Sequence, residues 1–395
     1  MHTLPATEIE LAAWLRLSLA PGLKPAALRL LLSGFGLPEA IFDQSLEALA
    51  GVAGEAAARA VLASPGPEFE AQLAAVLAWR DLPGNQVVSL DDPAYPPALL
   101  TMPDPPPLLY IKGRLDLLHN NAIAVVGSRS ATPQGVEDAE RFARELSTAS
   151  VTVVSGLALG IDGAAHRGGL SGVGGTVAVI GTGADLVYPA AHHALARQIA
   201  TQGAILSEWP LGTPARAANF PQRNRLIAGL VSGVLIIEAA MRSGSLITAR
   251  LANEMGRDIF ALPGSIHAPL SRGCHRMIKQ GAKLVETPDE VLEELGFARR
   301  PASTAPRAPG PAQTAMWDHT TQPEPASATS RDAASISADG QKLLAALGHA
   351  PTTLEILATR TEMEHATLQN TLLQLELTGQ LSVLPGGRFV RASHG

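Results

Sequence analysis

From Gln86 to about Phe297 short β-branched runs alternate with helical stretches: VVSL, LLYIKG, AIAVVG, VTVVSG, TVAVIG, AILS, VLIIEA, DIFALP and AKLV, with amphipathic or glycine-bearing segments between them. That alternation is the pattern of a mostly parallel sheet covered by helices, so the expected fold class is α/β. In such a sheet ligands bind beyond the carboxyl ends of the strands, where turns run into helix N-termini. The search for a site therefore starts at those turns.

The flanking segments read differently. Residues 1–83 carry Ala and Leu at helical spacing, broken by APGLKP and GFGLPEA, and form a small helical module. Within it PGLKPAALRLLLSGFG resembles a helix-hairpin-helix or SAM-like unit, with a plain helical packing module as the alternative. The α/β core is expected over 84–298. A Pro, Ala, Ser and Thr stretch over 299–338 has too little apolar periodicity to offset the entropy of ordering and is read as a disordered linker. Residues 339–395 predict three short helices, GQKLLAALGHA, TTLEILATR and HATLQNTLLQLELTG, then a hairpin turning at Pro385 to Gly387, together a winged helix. This last segment holds four Lys and Arg against five Asp and Glu, a weak footprint for phosphates, so a protein-contact role stands beside a DNA-reading one.

At 395 residues and 46% hydrophobic content the chain can bury a sizeable core. Its longest apolar runs, such as GVLIIEAAM at 233–241, are too short to span a membrane, and Glu8 and Glu10 argue against a secretory signal, which makes a cytoplasmic protein the expectation. A single cysteine, Cys274, permits no internal disulfide. No Cys/His set has zinc spacing, and His192 with His193 is read as a surface pair, so no metal is expected. The net charge is -6, yet between Trp209 and Lys283 ten Arg and Lys face three Asp and Glu. Because a charged patch acts over about 10 Å, that local reversal and not the global sign bears on the partner. It points to phosphates.

The strand AIAVVG runs into Gly127, Ser128 and Arg129 and then into a helix near Pro133. Glycine admits a close ligand, the helix start offers free amides and Arg129 adds a positive fork; the alternative is a tight turn and a carboxylate partner for Arg129. In NFPQRNRLIAGL, Phe220 and Pro221 are placed just before a helix and Arg223, Asn224 and Arg225 in its first turn. Cations there oppose the helix dipole, so something negative is expected to compensate them, and phosphate is the candidate, with Phe220 as a surface for base stacking. The alternative makes Phe220 a core residue and the arginines partners of carboxylates, though no Asp or Glu lies between Glu208 and Glu238. After VLIIEA, Ser243, Gly244 and Ser245 precede another helix, with Ser245 read as its N-cap.

Other motifs point away from cofactors. Glycines 156, 160 and 163 lack dinucleotide-fingerprint spacing, and GTGADLVYP has Leu186 where the third glycine belongs, so no nicotinamide or flavin is expected. Asp162 and His166, four apart on a helix, read either as an acid-base pair or as a structural hydrogen-bonded pair.

In this order, YPPALLTMPDPPPLLYIKG, VVGSR, SGLALGIDGAAHRGGL, NFPQRNRLIAGL, IEAAMRSGSLITARLANEMGR and FALPG resemble the DNA-processing protein A family, also called DprA or Smf, over about 84–285. The resemblance implies an extended Rossmann-like core without a nucleotide cofactor, flanked by a SAM-like and a winged-helix module. It also implies a homodimeric, non-enzymatic recombination mediator that binds and protects single-stranded DNA and loads the RecA recombinase during natural transformation. Carried over, the DNA site comprises Gly127, Ser128, Arg129, Asn219, Phe220, Arg223, Asn224, Arg225, Ser243, Gly244 and Ser245, with Arg216 on a looser alignment. One departure is His275, where the family's S-x-G-x-N has asparagine, while Ser271 and Gly273 match. The rival reading is a Rossmann-like enzyme hydrolysing nucleoside monophosphates, with Glu238 or Glu254 as its acid.

Overall fold

The computed structural model describes residues 7–297, 337–347, 352–384 and 388–392. They fall into two compact units, Met1–Ala298 and Arg299–Gly395.

The first unit opens with helices α1 (Glu8–Ser18), α2 (Pro25–Phe35), α3 (Pro38–Phe42), α4 (Leu46–Ala53), α5 (Glu55–Leu62) and α6 (Phe69–Arg80). Local sequence sets their starts. Thr7 Oγ1 accepts from the Glu10 amide at 3.3 Å while the Glu10 carboxylate accepts from the Thr7 amide at 2.7 Å, a reciprocal cap that satisfies two free N–H groups. Pro25 and Pro38 occupy the first helical positions, where no N–H is needed. Trp14 and Leu15 of α1 and Leu73, Val76 and Trp79 of α6 bury their side chains against Leu108 and Tyr110, so these helices share a core with the neighbouring sheet.

That sheet contains β1 (Asn85–Ser89), β2 (Leu108–Gly113), β3 (Ala122–Gly127), β4 (Thr152–Ser155), β5 (Thr176–Val179), β6 (Ala204–Ser207), β7 (Gly233–Ile237), β8 (Asp258–Ala261) and β9 (Lys283–Leu284). Their spatial order is β1-β2-β6-β5-β4-β3-β7-β8-β9. The strands from β6 to β9 in that order run parallel, and β2 joins β6, and β1 joins β2, antiparallel. Between them lie α7 (Pro97–Leu100), α8 (Pro133–Thr148), α9 (Ile161–Leu170), α10 (His193–Gln202), α11 (Asn219–Leu230), α12 (Ser245–Glu254), α13 (Arg272–Lys279) and α14 (Pro288–Glu294). Along β3 the side chains alternate: Ile123 and Val125 pack with α8, α9 and α14, while Ala124 and Val126 pack with α11 and α12. Both faces are covered, which explains why the run AIAVV is apolar throughout.

The chain builds outward from β3 through β4 and β5 to β6, then returns to lay β7 on the other side of β3. Strand order thus reverses between β3 and β7. At such a switch point the flanking turns diverge and leave a crevice beyond the strand ends.

The second unit contains α15 (Ala338–Leu347), β10 (Thr352–Thr353), α16 (Leu354–Thr361), α17 (His365–Leu377), β11 (Leu381–Leu384) and β12 (Arg388–Arg391). The strands form an antiparallel sheet of order β10-β12-β11, and Leu343, Leu347, Leu357, Leu368, Leu372, Leu375 and Leu381 bury one core. This is the winged helix expected from the sequence. The expected linker over 299–338 lies outside the described residues except at 337–338, where Ala338 already opens α15, and the expected turn at Pro385 to Gly387 lies outside them entirely.

Candidate functional site

Beyond β3 and β7 the backbone is drawn tight. A β-carbon on Gly127 would overlap the Ile237 carbonyl of the paired strand, and one on Gly160, at φ +74, would overlap the Ser128 carbonyl. Glycine at these two positions lets the turn after β3 lie against both neighbours. Thr132 then caps α8: its Oγ1 accepts from the Gly135 amide at 3.1 Å and itself donates to Glu238, whose other carboxylate oxygen accepts from the Thr132 amide at 2.8 Å. The Ser128 amide donates to the Glu238 carbonyl at 2.7 Å. The turns after β3 and β7 are therefore tied together by Glu238 before any ligand arrives.

They frame a cleft of about 790 Å³ lined by Gly127, Ser128, Arg129, Phe220, Asn224, Ser243, Gly244 and Ser245, all anticipated from the sequence. Arg129 is exposed and makes no ion pair among the described residues; its guanidinium carbon lies 5.5 Å from the centre of the Phe220 ring. Asn224 Nδ2 donates to the Gly244 carbonyl at 3.4 Å, linking α11 to the turn before α12. In that turn Ser243 Oγ accepts from the Ser245 amide at 3.3 Å and lies 2.6 Å from Ser245 Oγ. The N-cap position of α12 falls on Gly244, already helical in conformation, and not on Ser245, where the helix begins; no side chain caps it.

Helix α11 also starts earlier than the sequence predicts. It begins at Asn219, so Phe220 and Pro221 stand inside its first turn, where proline is tolerated for want of a needed N–H. Asn219 is buried, its Nδ2 donating to the Gly181 carbonyl at 2.9 Å, and Arg216 is exposed on the preceding segment between the lining residues Ala215 and Ala217.

Two expected phosphate ligands are engaged by the protein itself, although Arg223 also lines the cleft. Arg223 is 4% exposed and its Nη1 donates to the carbonyls of Gly156, at 2.6 Å, and Val179. Burial lowers it to about 10, against the pull of Asp162, so it stays charged at neutral pH. Arg225 leaves the cleft altogether: its Nη2 pairs with Glu208, and its Nε lies 3.4 Å from Asp104. The negative groups compensating the cations of α11 are thus the protein's own carbonyls and carboxylates, not phosphate. Burial pushes the Glu208 carboxyl up to about 7, with Arg225 opposing.

Asp162 and His166 do not bond each other. The Asp162 carboxylate accepts from the amides of Gly156 and Ala158, at 3.1 and 3.3 Å, and burial raises its pKa despite Arg223. His166 Nε2 accepts from the Leu157 amide at 3.2 Å, which assigns the ring proton to Nδ1, 2.8 Å from Thr176 Oγ1. Burial lowers this imidazole to about 3, so it is neutral. Both residues fasten the turn after β4, one wall of the cleft. His275 bonds Gly264 at 3.0 Å and is not a lining residue.

Among the cleft residues that the sequence did not single out are Tyr188 and Arg242. Tyr188 stood in a segment dismissed for lacking a cofactor fingerprint, and Arg242 directly precedes Ser243, a proximity that was signal enough. A second depression of about 830 Å³ lies beyond α12 with Arg250, Arg257, Arg276 and Lys283 on its walls. There Arg257 donates to Thr101 Oγ1 at 2.8 Å and Lys283 pairs with Glu294. Among the described residues no helix is long and apolar enough to cross a membrane, and no group of three or more His, Cys, Asp or Glu could hold a metal ion.

Comparison with known proteins places this geometry among relatives. Residues 86–296 match the family described as DNA recombination-mediator protein A, and residues 322–387 the DprA winged helix domain. Protein Smf of Escherichia coli is 41% identical over 321 residues, 80% of this chain and 81% of its own. DNA processing protein DprA of Streptococcus pneumoniae is 49% identical over 209 residues, 53% of this chain and 74% of its own. A crystal structure of DprA from that organism superposes with a TM-score of 0.62 at 39% identity, covering 74% of this chain and 99% of the other.

Proposed function

The chain belongs to the DNA recombination-mediator protein A family, and from that premise we propose that the cleft between β3 and β7 holds the sugar-phosphate backbone of single-stranded DNA. One observation carries the reading: an exposed Arg129, free of ion pairs among the described residues, lines the same cleft as Arg242 and the hydroxyl-bearing turns Ser128–Ser130 and Ser243–Ser245. Phosphate is the ligand that suits such donors. Arg242 joins Arg129 as the available charge, and Arg223 acts from behind as a positioning residue. On this reading the protein protects single strands and loads RecA during natural transformation, as a cytoplasmic homodimer with a SAM-like module at 1–83, the core at 84–298, a linker at 299–338 and the winged helix at 339–395.

The activity proposed is binding without turnover. Of the two acids a nucleotide hydrolase could use, Glu238 has both carboxylate oxygens engaged by Thr132, and Glu254 is not a lining residue of the cleft. Nucleoside monophosphates incubated with the protein are expected to release no base.

The test is a titration of a short oligothymidine at two salt concentrations. Binding should fall steeply with salt, and Arg129→Ala should weaken it and reduce the log–log salt slope by about 0.7, one phosphate's worth on a single strand. An Arg129→Ala protein with wild-type affinity and slope defeats the assignment.

A further inference from the structure

Phe220 is the aromatic that the sequence marks for base stacking, yet its ring is half-buried and already in contact with two cleft side chains. The Arg129 guanidinium carbon lies 5.5 Å from its centre, and the Tyr188 ring sits 5.5 Å away, centroid to centroid, tilted by 40°. Its edge rests against the main chain of Gly181, where an added β-carbon would stand 3.3 Å from the ring. Aromatic partners in contact have centroids about 4.5–7 Å apart, so Phe220 and Tyr188 already touch and no third ring fits between them. Tyr188 differs. It is 50% exposed, lines the same cleft, and has Phe220 as its one ring contact among the described residues.

Resting on the single-strand reading of this cleft, we propose that a nucleobase stacks on the outer face of Tyr188, while Phe220 is a positioning residue that holds Tyr188 and Arg129 at fixed places beside it. The strand then lies with its phosphates over the Arg129 and Ser243–Ser245 turns and a base turned toward the loop between β5 and α10. Every base has a π face, so such a platform accepts any sequence. It requires only that a base be present.

That requirement supplies the experiment, fluorescence-anisotropy titrations of the full chain with two oligomers of equal length, an oligothymidine and an abasic strand of the same phosphate count. The wild type should bind the oligothymidine more tightly. Tyr188→Ala should lower oligothymidine affinity about tenfold and leave abasic binding unchanged, and Tyr188→Phe, which keeps the ring, should match the wild type on both. Phe220→Leu should weaken both oligomers and lower the salt slope for each, because Arg129 loses its place. The proposal is overturned if Tyr188→Ala weakens both strands alike, if it leaves oligothymidine binding intact, or if Phe220→Leu removes only the base-dependent part. Should the wild type bind neither oligomer, the single-strand reading itself fails and takes this inference with it.

Discussion

Arg129 and Arg225 carry the same guanidinium, and their surroundings separate them. Arg129 is exposed beside an aromatic ring, whereas Arg225 is held between Glu208 and Asp104. Arg225→Ala should therefore cost stability: removing one partner of a part-buried pair leaves the other uncompensated, at about 1–3 kcal/mol. The loss depends on pH in a definite direction. Glu208 titrates near 7 in the folded chain, above the ordinary carboxyl value of 4.5, so below that range it is neutral and needs no cation. Folding therefore favours its protonated form between those values, and stability falls as pH rises through the window. Urea unfolding should show a larger deficit for Arg225→Ala at pH 8 than at pH 5; an equal deficit would remove Glu208 from the explanation. The sequence shows three cationic or amide side chains in a row at 223–225 but not their fates. Asp104, which engages Arg225, lies 121 residues away along the chain, and a carboxylate brought in by the fold leaves no mark near NFPQRNR.

Elements were more legible than their junctions. Each expected strand run from VVSL to AKLV forms a strand, the inner ones because burial on both faces requires unbroken apolar stretches, and the helix near Pro133 starts there with Thr132 as its cap. The start of α11 was misplaced by a proline that ends helices in general but is at home in a first turn. What no local pattern could reveal is the strand order, since the return of β7 to the far side of β3 is a long-range choice. That choice brings turns from distant segments into contact, and Gly160 tests how closely they must fit. Gly160→Ala would drive a methyl group into the Ser128 and Arg129 carbonyls, so it should cost about 1–3 kcal/mol and weaken oligothymidine binding by displacing Arg129. Gly212→Ala is the matched control, with positive φ of +78 but open space around it. It should bear the backbone strain alone and bind like the wild type. Equal binding losses in the two variants would show that torsion, not close approach, sets the cleft.

At the scale of the whole molecule, charge divides the labour between the two units. In a winged helix that reads DNA the third helix must bring cations to phosphates and base edges, but α17, HATLQNTLLQLEL, contains neither Lys nor Arg and places Leu373 and Leu377 at 54% and 77% exposure. Of the other cations among the described residues of this unit, Arg360 donates to the Ala346 carbonyl at 2.9 Å, and Lys342 lies on α15 and Arg388 and Arg391 on the short strand β12. Each unit also buries its own core: the sheet's apolar clusters draw only on residues before 298, and the second unit's draw only on its own helices and strands. A chain ending at Ala298 should therefore fold unaided. It should bind oligothymidine with the full-length affinity and the same log–log salt slope, since each phosphate lost with the tail would lower that slope by about 0.7. A drop of two phosphates' worth would place part of the strand on the winged helix. A duplex-sequence preference that vanishes with the truncation would make the tail the reader of DNA and the cleft its accessory, which the leucine-bearing α17, without Lys or Arg, argues against.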